Sequence, residues 1–283
     1  MSKQKCPLIV FTKIFPGQDV DQLIESAQEC GFEGFDLCLR PAFPINASNV
    51  TSRLPEAQKR FLQAGVPIGM ISGETNLLSP KEPVAEPILS AMDLADIRLL
   101  KLGYYRFDAH KQDYWQAVEA ARRDLDGWQA LAKRYNVKAC VHTHMGMLAC
   151  NCAALMHLLA DFDPRWIGAY IDPCHMRIEG EPFTTGAAMT RKHLCAVGLK
   201  DVTLSRVPKN DHGSAAHNMG VLAGEGMVDW NEVFPVLQEF QFDGVLSAHC
   251  TVLNYGKVPP EQHVDYIRRE IAFLKRKRDE FLK

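Results

Sequence analysis

No stretch of this chain stays apolar for the roughly 18 residues that a membrane-spanning helix needs, so no bilayer span is expected. Charge of one sign is also missing. Lys and Arg number 32 against 34 Asp and Glu, a net charge of −2, which leaves no global basic field to recruit nucleic acid or an anionic membrane. The first ten residues, MSKQKCPLIV, carry neither a long apolar stretch nor a small-residue cleavage site, so a cytoplasmic location is expected. A disulfide framework is lacking too. Nine cysteines is an odd count, and Cys30, Cys38, Cys140, Cys195 and Cys250 fall inside apolar segments, as reduced buried thiols do. Cys150 and Cys152 have the wrong spacing for a zinc ligand pair. Finally, no glycine-rich dinucleotide fingerprint follows the first apolar run, which argues against a doubly wound open sheet.

What is present is a set of short apolar runs that end in ionisable clusters. VKACVHTH ends at His144, IGAYIDPCH at His175, AVGLKD at Asp201 and DGVLSAH at His249. A buried parallel strand reads this way when its body packs a barrel and its C-terminal tip faces an active-site mouth. Strand patterns at 8–13, 34–39, 67–72, 99–103, 138–142, 168–172, 196–200 and 244–248 alternate with helical patterns throughout. One of these helices, from about Asp113 to Tyr135, spaces Trp115, Val118, Leu125, Trp128 and Ala132 as an apolar stripe. Another is expected near Gly186–His193, and Pro55 is expected near the first turn of a helix that ends at Gly65. Eight strand–helix pairs without a break in composition predict an α/β fold, one (β/α)8 TIM barrel over residues 1–283. The connection from Asp201 to Val228, with Pro208 and several glycines, is longer than barrel loops usually are and is expected to cover the mouth.

Alternation along each strand says which side chains turn inward. His142 and His144 share a parity, as do Gly198 with Lys200 and Ser247 with His249; Asp172 ends its strand, and His175 follows three residues on. Lys13, Arg40 and Lys101 end the earlier strands, and Glu74 lies just past the third. Two chemistries compete for this set. His142, Asp172 and His249 are the ligand types of a divalent metal site. Lys13, Arg40, Lys101 and Lys200 form a cationic ring suited to a carboxylate or phosphate. Each residue also has a plainer reading: a strand-end His is often only a hydrogen-bonded structural residue, and Lys13 or Arg40 could pair with Asp36.

At these residues the chain resembles the xylose isomerase-like sugar phosphate isomerase/epimerase superfamily, which includes endonuclease IV, inosose dehydratase, hydroxypyruvate isomerase and ketose 3-epimerases. The similarity rests on GFEGFDL at the second strand, Asp172-Pro-Cys-His175, Leu199-Lys200-Asp201, Gly224-Glu225-Gly226 with Asp229-Trp230, and Phe242-Asp243-Gly244. In the ketose epimerase branch a Glu, an Asp, a His and a Glu on strands five to eight hold the metal, and the two Glu residues exchange the substrate proton. Carried over, only Asp172 keeps its type; His142, Gly198 and His249 stand at the other three positions, and His175 and Lys200 match substrate-contacting residues.

The resemblance implies an isomerase or epimerase acting on a small polyhydroxy carbonyl compound, a sugar or a sugar acid or phosphate, by proton abstraction beside the carbonyl. His142, His249 and Lys200 are the expected catalytic residues. Lys13, Arg40, Glu74, Lys101, His144, His175 and Arg206 are the expected substrate contacts. His142, Asp172 and His249 are the expected ligands of a divalent metal (zinc, iron, nickel or manganese), with a metal-free histidine mechanism as the alternative. A dehydratase or lyase, Schiff-base chemistry on a lysine and a non-catalytic sugar-binding barrel are competing readings. No nucleic-acid or membrane partner is expected, and a homodimer is compatible with such relatives.

Overall fold

The computed structural model describes residues 6–210, 213–255 and 258–282. Eight parallel strands close into a barrel: β1 (Leu8–Phe11), β2 (Phe35–Cys38), β3 (Ile68–Ser72), β4 (Leu99–Lys101), β5 (Lys138–His142), β6 (Ile167–Ile171), β7 (Leu194–Leu199) and β10 (Val245–Ala248). Their order round the barrel follows the chain, with β10 closing between β7 and β1. Each strand is short and buried on both faces, as a sheet enclosed by helices requires.

The helices that wrap it are α1 (Val20–Cys30), α2 (Val50–Gln63), α3 (Ala85–Leu94), α4 (Tyr114–Arg134), α5 (Cys152–Leu159), α6 (Pro173–Ile178), α7 (Phe183–Thr190), α8 (Trp230–Glu239) and α9 (His263–Phe281). Local sequence sets their ends. In α1 the Asp19 side chain accepts from the Gln22 amide while the Gln22 side chain accepts from Asp19, a reciprocal cap. In α4, Val118, Ala121, Leu125, Trp128 and Ala132 face the barrel. None of the helices among the described residues is long and apolar enough to cross a membrane.

Several sequence expectations need correction. Trp115 is not part of the α4 stripe: it is 58% exposed, in the first turn, with its ring against Tyr114 and His157. Helix α2 begins a turn earlier than its pattern suggested, which places Pro55 inside it rather than in its first turn. Helix α7 lies a few residues before the expected span, and the short α6 had not been anticipated. The largest difference is the connection after β7. It folds as an antiparallel hairpin, β8 (Asp201–Asn210) and β9 (Gly213–Val221), in place of an irregular loop.

Asp201 roots this hairpin. Its carboxylate accepts from the amides of Val202, Gly224, Gly226 and Val228 and from the indole of Trp230, at 2.8–3.2 Å. The separate motifs at 199–201, 224–226 and 229–230 are therefore one structure closed on a single buried carboxylate. Gly226 has to be glycine here, because a Cβ would stand 2.2 Å from Asp201 Oδ1. Of the four ionisable strand tips, this one serves the fold.

Candidate active site

Inside the barrel, side chains stack in layers as the period-two alternation requires. The floor is apolar: Ile9, Met70, Leu99, Cys140, Tyr170 and Cys195 pack together. One step up, the same parity brings in polar groups. Asp36 accepts from the Ser247 hydroxyl at 2.8 Å and is fully buried; burial pushes its pKa up to about 6, against the pull of Ser72, Ser247 and Lys101. Lys101 is buried as well. Its ammonium donates to the Leu102 carbonyl at 2.9 Å and lies 4.0 Å from the centre of the Tyr104 ring, and burial pushes its pKa down to about 8. Asp36 is thus not the ion-pair partner of Lys13 or Arg40 that the sequence allowed.

The next step holds the central cluster. Asp172 leaves β6 as the N-cap of α6, with Pro173 at the first helical position. Its Oδ1 accepts from the amides of Cys174 and His175. That fixes Oδ2, which faces the Lys200 ammonium at 2.6 Å and His142 Nε2 at 3.4 Å. Lys200 also reaches His175 Nε2 at 2.7 Å. An ammonium only donates, so Nε2 accepts and the proton of the neutral His175 ring is assigned to Nδ1, which is buried without a partner. Burial alone would raise the Asp172 pKa, but the Lys200 charge opposite holds it below the ordinary carboxylate value.

Imidazoles surround this pair. His142 stacks on Tyr170 with ring centres 4.0 Å apart and meets the Tyr104 hydroxyl through Nδ1 at 3.1 Å. His249 meets the Tyr170 hydroxyl through Nε2 at 2.8 Å. His144 has Nδ1 2.9 Å from the Met145 carbonyl; a carbonyl only accepts, so Nδ1 carries the proton and Nε2 keeps a free lone pair. Burial, reinforced by the Lys200 charge, pushes all of His142, His144, His175 and His249 below the usual imidazole pKa, so they are neutral near pH 7.

Above the cluster opens a cleft of about 480 Å³. Lys13, Arg40, His144, His175, Lys200 and His249 line it, and Asn218 and Gly220 of the hairpin form part of its wall. Asn218 approaches the Met145 sulfur at 3.8 Å, which ties the hairpin to the β5 side of the mouth. The expected residues therefore separate into levels. His142, Asp172 and Lys101 lie beneath the lining rather than in it. Glu74 opens into a different, smaller pocket beside Leu39 and Leu77. Arg206 is exposed on β8, outside the cleft, and neither it nor Glu74 sits where a substrate contact was expected. Sequence reading missed Tyr104, Arg106 and Tyr170. Tyr170 had a usable signal, since it shares inward parity with Asp172; Tyr104 and Arg106 follow β4 on a loop with no period to read.

The metal set implied by the resemblance does not fit these positions. Among the described residues no group of three or more His, Cys, Asp or Glu side chains could hold a metal ion, so His142, Asp172 and His249 do not converge as ligands. His249 Nε2 is taken up by Tyr170, and the Asp172 oxygen that would bind a cation already meets the Lys200 ammonium. At the strand-seven position, a Cβ on Gly198 would stand 2.8 Å from Asp172 Oδ2 and 3.2 Å from the Tyr170 ring, so no ligand side chain fits there in this arrangement. The local charge balance is that of one carboxylate with one ammonium.

Comparison with known proteins agrees with this architecture. A family model described as a xylose isomerase-like TIM barrel matches residues 24–277. Similar solved structures include a 3-keto-D-glucoside 4-epimerase from E. coli (14% identity, 96% of this chain and 100% of that one, TM-score 0.70). A D-psicose 3-epimerase from Clostridium cellulolyticum H10, solved with D-tagatose, has 13% identity over 95% of this chain and 98% of its own, with a TM-score of 0.73. A D-allulose 3-epimerase from Methylomonas sp., solved with D-allulose, has 10% identity over 97% and 98%, with a TM-score of 0.71. Identities this low show a shared fold and nothing finer. No curated protein sequence matches the chain.

Proposed function

The chain belongs to the xylose isomerase-like TIM barrel family, and from that premise we propose that it isomerises or epimerises a small polyhydroxy carbonyl compound by proton transfer beside the carbonyl. The observation that carries this reading is the Asp172–Lys200–His175 cluster, at 2.6 and 2.7 Å, set among neutral imidazoles at the base of the cleft.

His249 lines the cleft; with Nε2–H assigned as donor to the Tyr170 hydroxyl, the neutral ring keeps its lone pair on Nδ1, which takes the proton from the carbon next to the carbonyl. The electron pair of that C–H bond becomes a carbon–carbon double bond, and the carbonyl oxygen takes up the negative charge. The Lys200 ammonium faces that oxygen, held in place by Asp172 and His175, and stabilises the enediolate. His144, with Nε2 free, follows β5, three strands round the barrel from β10. Return of the proton from His249 to the neighbouring carbon, with the hydroxyl proton passing to the former carbonyl oxygen, moves the carbonyl. Inversion uses a proton that His144 Nε2 first takes from water and delivers to the opposite face, while His249 releases its own proton to water. His142 takes a positioning role in this scheme, stacked on Tyr170 and close to Asp172, in place of the direct acid–base role expected from sequence. Schiff-base chemistry on Lys200 or Lys101 is disfavoured, because Lys200 is paired with a carboxylate and Lys101 does not reach the cleft.

The test is proton NMR of ketoses, keto-acids and sugar phosphates incubated with the protein in deuterium oxide. Loss of the signal from the carbon-bound proton next to the carbonyl is expected, slowed at least a hundredfold in Lys200→Met. A compound set that binds the cleft without any such exchange overturns the reading.

A further inference from the structure

The cleft has an unusual charge inventory. Lys13, Arg40, Arg106 and Lys200 line it, and among the described residues no Asp or Glu does. Lys200 is balanced from below by Asp172. The other three make no ion pair among the described residues. Concave sites concentrate the field of such charges, and unneutralised cations repel one another. Arg40 shows the strain of this most clearly: its Nε is buried and has no hydrogen-bond partner. A buried donor left unpaired is costly unless a ligand completes it.

We infer that the substrate carries an anionic oxygen group, a carboxylate or a phosphate, and that Lys13 and Arg40 hold it. This rests on the proposed sugar isomerase or epimerase reading and narrows its substrate class. Lys13 follows β1 and Arg40 follows β2, neighbouring strands of the barrel. The Arg40 guanidinium lies 5.8 Å from the centre of the Phe11 ring, and Phe11 lies 4.9 Å from the His249 ring. Arg40 therefore stands about one aromatic ring from the proposed base, and Lys13 lines the same cleft from the neighbouring strand, so the anionic group belongs a few atoms from the reacting carbon. Burial and the charges of Arg40 and Lys200 press the Lys13 ammonium toward losing its proton, a penalty that an arriving anion relieves. A neutral sugar fits this lining poorly. Its hydroxyls donate best to carboxylates, which the lining lacks among the described residues, and it would leave three cations uncompensated. Guanidinium and ammonium side by side suit a carboxylate or phosphate, the former through its forked donors and the latter as a point charge.

The experiment measures binding without turnover. Calorimetric titration of the full chain with D-fructose, 5-keto-D-gluconate, D-fructose 6-phosphate and inorganic phosphate compares one neutral ligand with three anions. At least one of the organic anions is expected to bind tenfold or more tightly than D-fructose, and which one identifies the carboxylate or the phosphate as the group held. That preference is expected to fall toward unity in Lys13→Met and in Arg40→Met, and to persist in Lys59→Met, on the exposed face of α2. Equal or tighter binding of D-fructose by the unmodified protein overturns the inference, as does a preference undiminished in both cleft variants. The outcomes separate from those of the proposed reaction. Tight anion binding with no proton exchange would refute the reaction and leave the anion site standing, whereas exchange on a neutral ketose alone would refute the anion site and leave the reaction standing.

Discussion

Lys200 Nζ lies 2.6 Å from Asp172 Oδ2, with both side chains almost fully buried at the base of the cleft. Neither charge could stay there alone, because an unpaired buried ion costs several kcal/mol. The pair is therefore both a structural bond and the local source of positive charge on which the proposed chemistry depends.

Lys200→Met should lower unfolding free energy by about 3–5 kcal/mol, since it strands the Asp172 carboxylate. The double variant Lys200→Met with Asp172→Asn should recover most of that loss while staying inactive. Urea denaturation together with the deuterium exchange assay reads both. Equal stability of the single and double variants would contradict the pairing.

Gly198→Ala tests the crowding above β7. The added Cβ meets Asp172 Oδ2 and the Tyr170 ring, neither of which can retreat without breaking its own contacts. A loss of about 1–3 kcal/mol is expected, accompanied by weaker exchange activity. A variant as stable and active as the parent would show that the site can relax.

Asp201→Ala removes the acceptor shared by four backbone amides and an indole. A cost of roughly 3–5 kcal/mol follows from the unpaired buried donors. Limited proteolysis should cut within β8–β9 at least tenfold faster than in the parent, while the β1–β7 region stays protected. Uniform protection would mean that the hairpin is held by other contacts.

Glu270 supplies a pH test outside the cleft. Its carboxylate accepts from the amides of Cys250 and Ala223, and burial pushes its pKa up to about 7 from an ordinary 4.5. The folded state therefore binds the proton more tightly than the unfolded state does. This group favours folding below the unfolded pKa, and that contribution is lost as pH rises through 7. Glu270→Gln should remove the dependence, so that its stability relative to the parent rises by about 3 kcal/mol between pH 4.5 and pH 8. Parallel stability curves for the two proteins would refute the assignment.

The strand and helix order was legible in the sequence because it rests on local periods. A run such as Lys138–His142 alternates within itself, and Asp172-Pro-Cys-His175 carries its own cap and turn, so both could be read without knowing their neighbours. Inward parity likewise picked out His142, Lys200 and His249. What each inward side chain meets depends on register and loop course across the barrel, which no local period records. Tertiary structure alone paired Lys200 with Asp172, put Tyr170 against His249 and sent Glu74 to a separate pocket. It also turned Asp201 from a candidate functional tip into the root of a hairpin, since the donors that surround it lie up to 29 residues along the chain. Sequence determined which strands end in charge; only the closed barrel decided which of those charges face one another and which face the cleft.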